Sequence, residues 1–480
     1  MTAGPTQTDI ADSVVRGFTS FATEVVHDQV SDAALRAAKR CLVDAVGCAL
    51  GAQETDVIRA LRAVASTATS SRPATLWGTT LQTTPDMAAF VNGSATRCLD
   101  FNDDYFGTEK TNAHGDTGPH PSDNLGGILS AAEVAGASGS ETLLGIVIAY
   151  EVCGQLVDEV VLRGNGWDHP LFHSIATSAA AARLLGLSRA QTANAIRLAV
   201  VPNICLYETR VGSISNWKGL AGPNGSRNGL FAAVLAEAGI TGPEMAFEGA
   251  RGFMRQLDHE FSLGPFGSPQ RPFRVENTYF KHLPLRYEMQ LPVQLALEMR
   301  KTVDPRDIAT MRVYMERKSV VSREAEPALW RPSNRETADH SGPYLIAAAL
   351  VDGAITEATF EAERYLDPSL LDVTNTIQLI EDPAYTASFP WQMACRFEVE
   401  LKDGRALTLM GENPKGHPRN PMTDDEVTAK FLGQVEPHLG EDRAEELLQC
   451  IWRLEEQPSL ERLFSLMVPD STSATNASSG

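Results

Sequence analysis

Residues 98–127 read CLDFNDDYFGTEKTNAHGDTGPHPSDNLGG and gather five aspartates (Asp100, Asp103, Asp104, Asp116, Asp123) and two histidines (His114, His120) among glycines and turn formers. Carboxylates and imidazoles are what general acid–base chemistry needs, because burial and neighbouring charges move their pKa values towards neutrality. A solvated acidic loop shares the aspartates. It does not account for the histidines, for Tyr105, or for the alanine-rich stretches on both sides. The segment reads as a functional site held by an apolar scaffold.

That scaffold is helical from about residue 9 to 239. Ser31 opens a run with Leu35, Ala38, Leu42, Ala45, Val46 and Ala49 on one face and Gly51 as a stop signal. Residues 128–137, 141–161 and 173–187 repeat the theme, Ser188-x-x-Gln191 is a capping box for 189–201, and 229–238 is a further alanine-rich helix. Near residue 263 the composition turns to Gly and Pro, a linker signal. Beyond it, 311–316 and 395–401 alternate as strands, Asp403-Gly404 makes a hairpin turn into 406–410, and 343–351 is a helix. Thr423-x-x-Glu426 then caps a returning helical segment that ends near 467. The expected fold is mainly α, with a large all-helical domain (1–262 plus 420–470) and an inserted α+β lid (263–419). Residues 471–480, all small or polar, are expected to be disordered.

A chain of 480 residues is long enough for two or more structural units. The net charge of −20 argues against nucleic-acid binding, and a negatively charged substrate then needs Lys or Arg inside a cleft. Seven cysteines lie scattered without a CxxC pair, the pattern of reduced thiols in a cytoplasmic protein rather than of an iron–sulfur cluster. The N-terminus lacks a signal-peptide pattern, and no apolar run reaches the ~20 residues of a membrane span. The expected partner is a small molecule, not a membrane.

AAFVNG (88–93), LDFND (99–103), HPSDNLGG (120–127), AAARLLGL (180–187), ADHS (338–341) with Tyr344, and PKGHP (414–418) closely resemble the MmgE/PrpD family in the same order. The resemblance runs from about residue 10 to 465, and HPSDNLGG is similar to its methylcitrate dehydratase branch. It implies a homodimer with a helical domain and an α+β lid. The implied chemistry is a hydro-lyase reaction on a small di- or tricarboxylate, without metal or other cofactor. Decarboxylation of the cis-aconitate type and epimerisation of the iminodisuccinate type are alternatives within the family. By position, Asp100, His120, His169, Lys218 and Tyr344 are the implied catalytic residues. Asp104, Arg286, Tyr287 and Glu288 are the implied substrate contacts. Three departures surround this set. Asp104 stands where the family commonly has Thr, Glu288 or Gln290 replaces a lid histidine, and the loop between Asp104 and His120 is longer.

Dehydrating a β-hydroxy acid needs a base, an acid for the departing hydroxide, and fixed positive charge for the aci-carboxylate. Asp100 with His120 or His169 supplies proton transfer on this reading, and Lys218 with Arg286 the charge. Structural roles compete at several positions. His169 sits near Trp167 and Phe172, Lys218 is beside Trp217, Asp339-His340 suits a helix start, Tyr344 suits a core, and Arg286 and Tyr287 suit a turn. His282 and His417 read as structural. A metal-dependent hydrolase using Asp168-His169, Asp258-His259, Asp339-His340 or His114-x-Asp116 is a rival of another class, and an inactive dimeric scaffold is a second.

Overall fold

The computed structural model describes residues 10–107, 118–162, 166–212, 214–324 and 327–470. The expected disordered tail therefore lies outside the described residues. Helices α1 (Ser13–Glu24), α2 (Asp32–Gly51), α3 (Asp56–Ala65), α4 (Pro85–Cys98), α5 (Leu125–Ala135), α6 (Gly139–Glu159), α7 (Pro170–Leu184), α8 (Arg189–Val200) and α9 (Trp217–Glu237) pack together. Their ends follow local rules. The Ser31 hydroxyl accepts from Ala34 N at 3.1 Å to start α2, and Ser188 and Gln191 cap α8 reciprocally. Ala34, Ala38, Leu42, Ala45, Val46 and Ala49 are all buried, so α2 is an interior helix.

Two sequence expectations change. Helix α9 starts at Trp217, well before residue 229, and runs through Gly222, Pro223 and Gly225. Those residues read as breakers, yet they let α9 lie against its neighbours. A Cβ on Gly225 would stand 2.1 Å from Pro170 O, and one on Gly229 2.3 Å from Ser174 O. Packing outweighs propensity here. Helix α6 is long and apolar enough to cross a bilayer by composition alone, contrary to the sequence expectation, but 89% of its apolar window is buried inside the protein. It is a core helix.

The second unit holds α10 (Gln290–Arg300), β1 (Ile308–Met315), α11 (Arg317–Glu324), α12 (Gly342–Asp352), β2 (Ile377–Glu381), β3 (Cys395–Leu401) and β4 (Ala406–Gly411). The sheet order is β2-β1-β3-β4, with β1 and β2 parallel and the other pairs antiparallel. Gly404, at φ 89°, makes the turn between β3 and β4. Strand β2, unforeseen from sequence, pairs Leu379 with Val313. Helices α13 (Asp424–Leu439), α14 (Glu441–Trp452) and α15 (Glu461–Leu466) return to the first unit. One apolar core joins residues 10–280 with 422–467, and a second spans residues 285–401. The fold is thus mainly α with a smaller α+β part.

The two parts meet at residues 99–107, where Phe106 packs with Tyr279, Tyr287 and Met393. Asp104 N donates to Tyr279 O at 2.8 Å and Tyr279 N to Asp104 O at 2.9 Å. Behind them α4 and α5 touch through glycines, since a Cβ on Gly126 would stand 2.5 Å from Ala89 O and 2.6 Å from Gly93 N. That approach seats residues 120–125 beneath the Asp100 turn. Gly126→Ala should therefore destabilise the protein by about 1–3 kcal/mol, the usual cost of overpacking. Urea unfolding checks it, and an unchanged midpoint would contradict the close approach.

Candidate active site

Helix α4 ends at Cys98, and Asp100 turns the chain with φ 49°, a left-handed conformation that Asp tolerates better than most residues. Its carboxylate is buried among cations. Lys281 Nζ lies 2.7 Å from Oδ1, Lys218 Nζ lies 3.4 Å from Oδ2, and Arg97, one helical turn earlier, pairs with Oδ1. Burial alone would raise the Asp100 pKa. Lys218, Lys281 and Arg97 outweigh it and hold the group well below the ordinary carboxylate range. Asp100 is therefore an anion that gathers three cations, and it is not a proton donor.

Lys218, in the first turn of α9, links the two parts. Its Nζ lies 3.4 Å from Asp339 Oδ2 and 3.3 Å from His340 Nδ1, while burial lowers its pKa. Asp339 and His340 pair directly, and burial followed by Lys218 pushes His340 down to about 4. Asp100, Asp339 and His340 have the spacing of a metal-binding trio. The ammonium of Lys218 stands 3.3–3.4 Å from a ligand atom of each, so the positive charge at this spot is supplied by the chain itself.

His120 makes a 2.6 Å contact from Nδ1 to Asp103 O, which places its proton on Nδ1 and leaves the Nε2 lone pair. Burial, then Arg97 and Lys281, keeps this imidazole neutral, well below its ordinary value. His169 is held differently. Arg210 Nη2 donates to its Nε2 at 3.0 Å, and Arg210 Nε sits 2.9 Å from both oxygens of Asp168. On the lid side, Arg286 pairs with Glu288 at 2.8 Å and Lys318 of α11 with the same carboxylate at 3.2 Å. Burial would raise the Glu288 pKa, but these two cations hold it well below the ordinary range.

These groups surround one cavity of about 80 Å³. Of the residues expected from sequence, Asp100, Asp104, His120, His169, Lys218, Arg286, Tyr287 and Glu288 line it. Tyr344 does not. Its hydroxyl donates to Thr359 O, and its ring lies in the lid core because that face of α12 packs inward. Gln290 is separated from Glu288 as well. Its amide ties the 282–285 turn, accepting from His282 N at 3.1 Å and Leu283 N at 3.0 Å and donating to Leu283 O at 2.8 Å. Asp168 serves Arg210, while His259 Nε2 contacts Glu159 O at 3.0 Å, so Asp258-His259 lies apart from the cavity that His169 and His340 both line. His114 and Asp116 lie outside the described residues.

Sequence reasoning missed Arg97, Arg210, Lys281 and Lys318, and named His340 as a site residue only in the rival metal reading; all five line the cavity. Only Arg97 carried a local signal, its three-residue spacing from Asp100 at a helix end. His340 was read as a helix start, and the cap proved to be Ser341, whose oxygen accepts from Tyr344 N.

A mainly helical chain with an α+β part and a buried, lysine- and arginine-rich cavity at their junction is the class that fold and site define. The chain belongs to the MmgE/PrpD family: the N-terminal domain profile of that family matches residues 16–264 and the C-terminal domain profile matches residues 284–456. It is 29% identical over 421 residues to 2-methylcitrate dehydratase of Salmonella typhimurium, covering 82% of this chain and 84% of that one. To 2-methylcitrate dehydratase of Cupriavidus necator it is 29% identical over 412 residues, covering 80% and 81%. To cis-aconitate decarboxylase of Mus musculus it is 25% identical over 466 residues, covering 92% and 91%.

Asp123 gives the site a pH signature. It is buried, with Asn102 Nδ2 at 3.3 Å and His173 Nε2 at 3.7 Å, and burial raises its pKa to about 7. In the unfolded chain it returns to about 4. Between these values the unfolded state has released a proton that the folded state keeps, so stability falls as pH rises. The wild type should lose stability relative to Asp123→Asn from about pH 4 to 7 and no further above that. Urea midpoints of both proteins near pH 5 and pH 8 check this, and a constant difference would contradict it.

Proposed function

We propose that the chain is a lyase that removes water from a small hydroxy polycarboxylic acid, in the manner named for its 2-methylcitrate dehydratase relatives. The observation that carries this reading is the cavity itself. In a chain of net charge −20, Arg97, Arg210, Lys218, Lys281, Arg286 and Lys318 line one small space. Fixed cations in a low-dielectric site bind carboxylates and stabilise the aci-carboxylate that forms when an adjacent carbon loses its proton.

His120 is the base on this reading, since its Nε2 keeps a lone pair while Nδ1 is tied to Asp103 O. Such a group contributes roughly 10²–10⁴ in rate. An unprotonated imidazole at the cavity also favours dehydration over its rivals. Decarboxylation needs a proton donor but no base. Epimerisation needs a second base, and the Nε2 of His169 already accepts from Arg210. On this reading the positive charge comes from the chain's own side chains, with Lys218 Nζ 3.3–3.4 Å from atoms of Asp100, Asp339 and His340. Seven cysteines scattered without a CxxC pair fit a reducing cytoplasm, and a homodimer is part of the same proposal.

The reading is tested by incubating the protein with 2-methylcitrate, citrate and cis-aconitate while following double-bond absorbance and CO₂ release. A rise in absorbance without CO₂ from a hydroxy acid is expected. CO₂ release would instead assign a decarboxylase, and stoichiometric zinc, iron or manganese in active protein would contradict the metal-free chemistry. His120→Gln should lower kcat about 10²-fold or more with an unchanged unfolding midpoint. Full activity in that variant would remove His120 as the base.

A further inference from the structure

We infer that Asp104 is the acid that protonates the departing hydroxyl. The inference rests on the dehydratase reading and assigns the step which that reading left without a donor.

Three acidic side chains follow one another closely in this turn, and their partners differ. Asp100 pairs with Arg97, Lys218 and Lys281. Asp103 accepts from Ser122 N at 3.0 Å and from the Tyr150 hydroxyl at 2.7 Å. The Asp104 carboxyl is as deeply buried, at 3% exposure, but its nearest described ion partners stand 3.5 Å and 3.6 Å away. Lys281 Nζ is 3.6 Å away and already committed to Asp100 at 2.7 Å, and His120 Nδ1 is 3.5 Å away and committed to Asp103 O. A buried carboxylate without donors is costly, whereas a carboxylic acid carries its own donor. The charged and titratable groups that face it are Arg97, Asp100, Lys281, Glu288 and His120, with Tyr279 and Tyr287. Burial raises its pKa well above the ordinary carboxylate range, and Glu288 and Asp100 add to the rise against Lys281 and Arg97.

Position supports the same role. The carboxyl lies on the cavity wall, and its backbone is clamped to Tyr279 by two hydrogen bonds, so the group is fixed where the lid meets the helices. The other carboxyls at the cavity and Tyr287 suit the role less well. Asp100 and Glu288 are held as anions. Burial, Tyr279 and Asp104 make the Tyr287 hydroxyl a reluctant donor. Two carboxyls whose surroundings push their pKa values apart divide the roles of anion and acid.

The step balances. Nε2 of His120 takes the proton from the carbon beside a carboxylate, and the C–H electron pair becomes the new double bond. The C–O bond at the next carbon breaks with its pair on oxygen, which takes the Asp104 proton and leaves as water. His120 ends protonated and Asp104 ionised, and the released water relays the Nε2 proton to Asp104, which restores the acid and the Nε2 lone pair while Nδ1 stays tied to Asp103 O.

Replacing the leaving hydroxyl by fluorine separates an acid from a residue that merely shapes the cavity, because fluoride departs without needing a proton. Asp104→Asn and Asp104→Thr should lower kcat on the hydroxy acid about 10²-fold or more. Both should expel fluoride from the β-fluoro analogue within about threefold of wild type, since protonation is the only contribution lost. The wild-type rate should also fall with rising pH as the acid ionises, a limb that Asp104→Asn lacks. Equal loss on both substrates, or full activity on the hydroxy acid, overturns the assignment. A wild-type protein that expels neither water nor fluoride overturns the dehydratase reading and the acid with it.

Discussion

The Asp100 carboxylate is the interaction on which the site depends. It draws Arg97 from helix α4, Lys218 from α9 and Lys281 from the stretch that leads into the lid, and it does so from a left-handed turn. Removing one partner from a buried ion cluster typically costs 3–5 kcal/mol, because the others are left uncompensated. Lys430 of α13 supports the cluster from behind. Its Nζ donates to Asp44 Oδ1 at 2.6 Å, Phe101 O at 2.7 Å and Lys281 O at 3.0 Å, so one ammonium holds both the Asp100 turn and the lysine that faces it. Shape and charge of the cavity are therefore set together.

Much of the scaffold was legible because its signals are local. The Ser31 start of α2, the Ser188–Gln191 and Thr423–Glu426 capping boxes and the Asp403-Gly404 turn each depend on residues a few positions apart. The start of α9 was not legible, because Gly222, Pro223 and Gly225 break isolated helices and favour this one only where α7 and the Asp123 turn crowd it. The site divides along the same line. The Asp-rich turn and HPSDN segment announced themselves by density of chemistry. Lys281, Arg210 and Lys318 became informative only once folding brought them to a carboxylate far away in sequence. Tyr344 failed for the converse reason, since one helix turn presents a tyrosine to either a core or a cavity and the sequence pattern does not choose.

The two acidic residues on the cavity wall near the lid also acquire a physical sense. Glu288 is neutralised by Arg286 and Lys318, so this part of the wall remains a source of positive charge. Asp104 sits where burial, with Glu288 and Asp100, favours the protonated carboxyl. A net charge of −20 around a cationic interior leaves the positive potential focused on one small space.

The most direct measurement of that central claim is the change in unfolding temperature produced by tricarballylate, an unreactive tricarboxylate, in wild type and in Lys218→Gln. A ligand that binds only the folded state raises stability with its concentration. The account predicts a concentration-dependent rise in the wild type that is largely lost in Lys218→Gln. Equal shifts in both proteins, or none in the wild type, would contradict a cavity built to hold carboxylates.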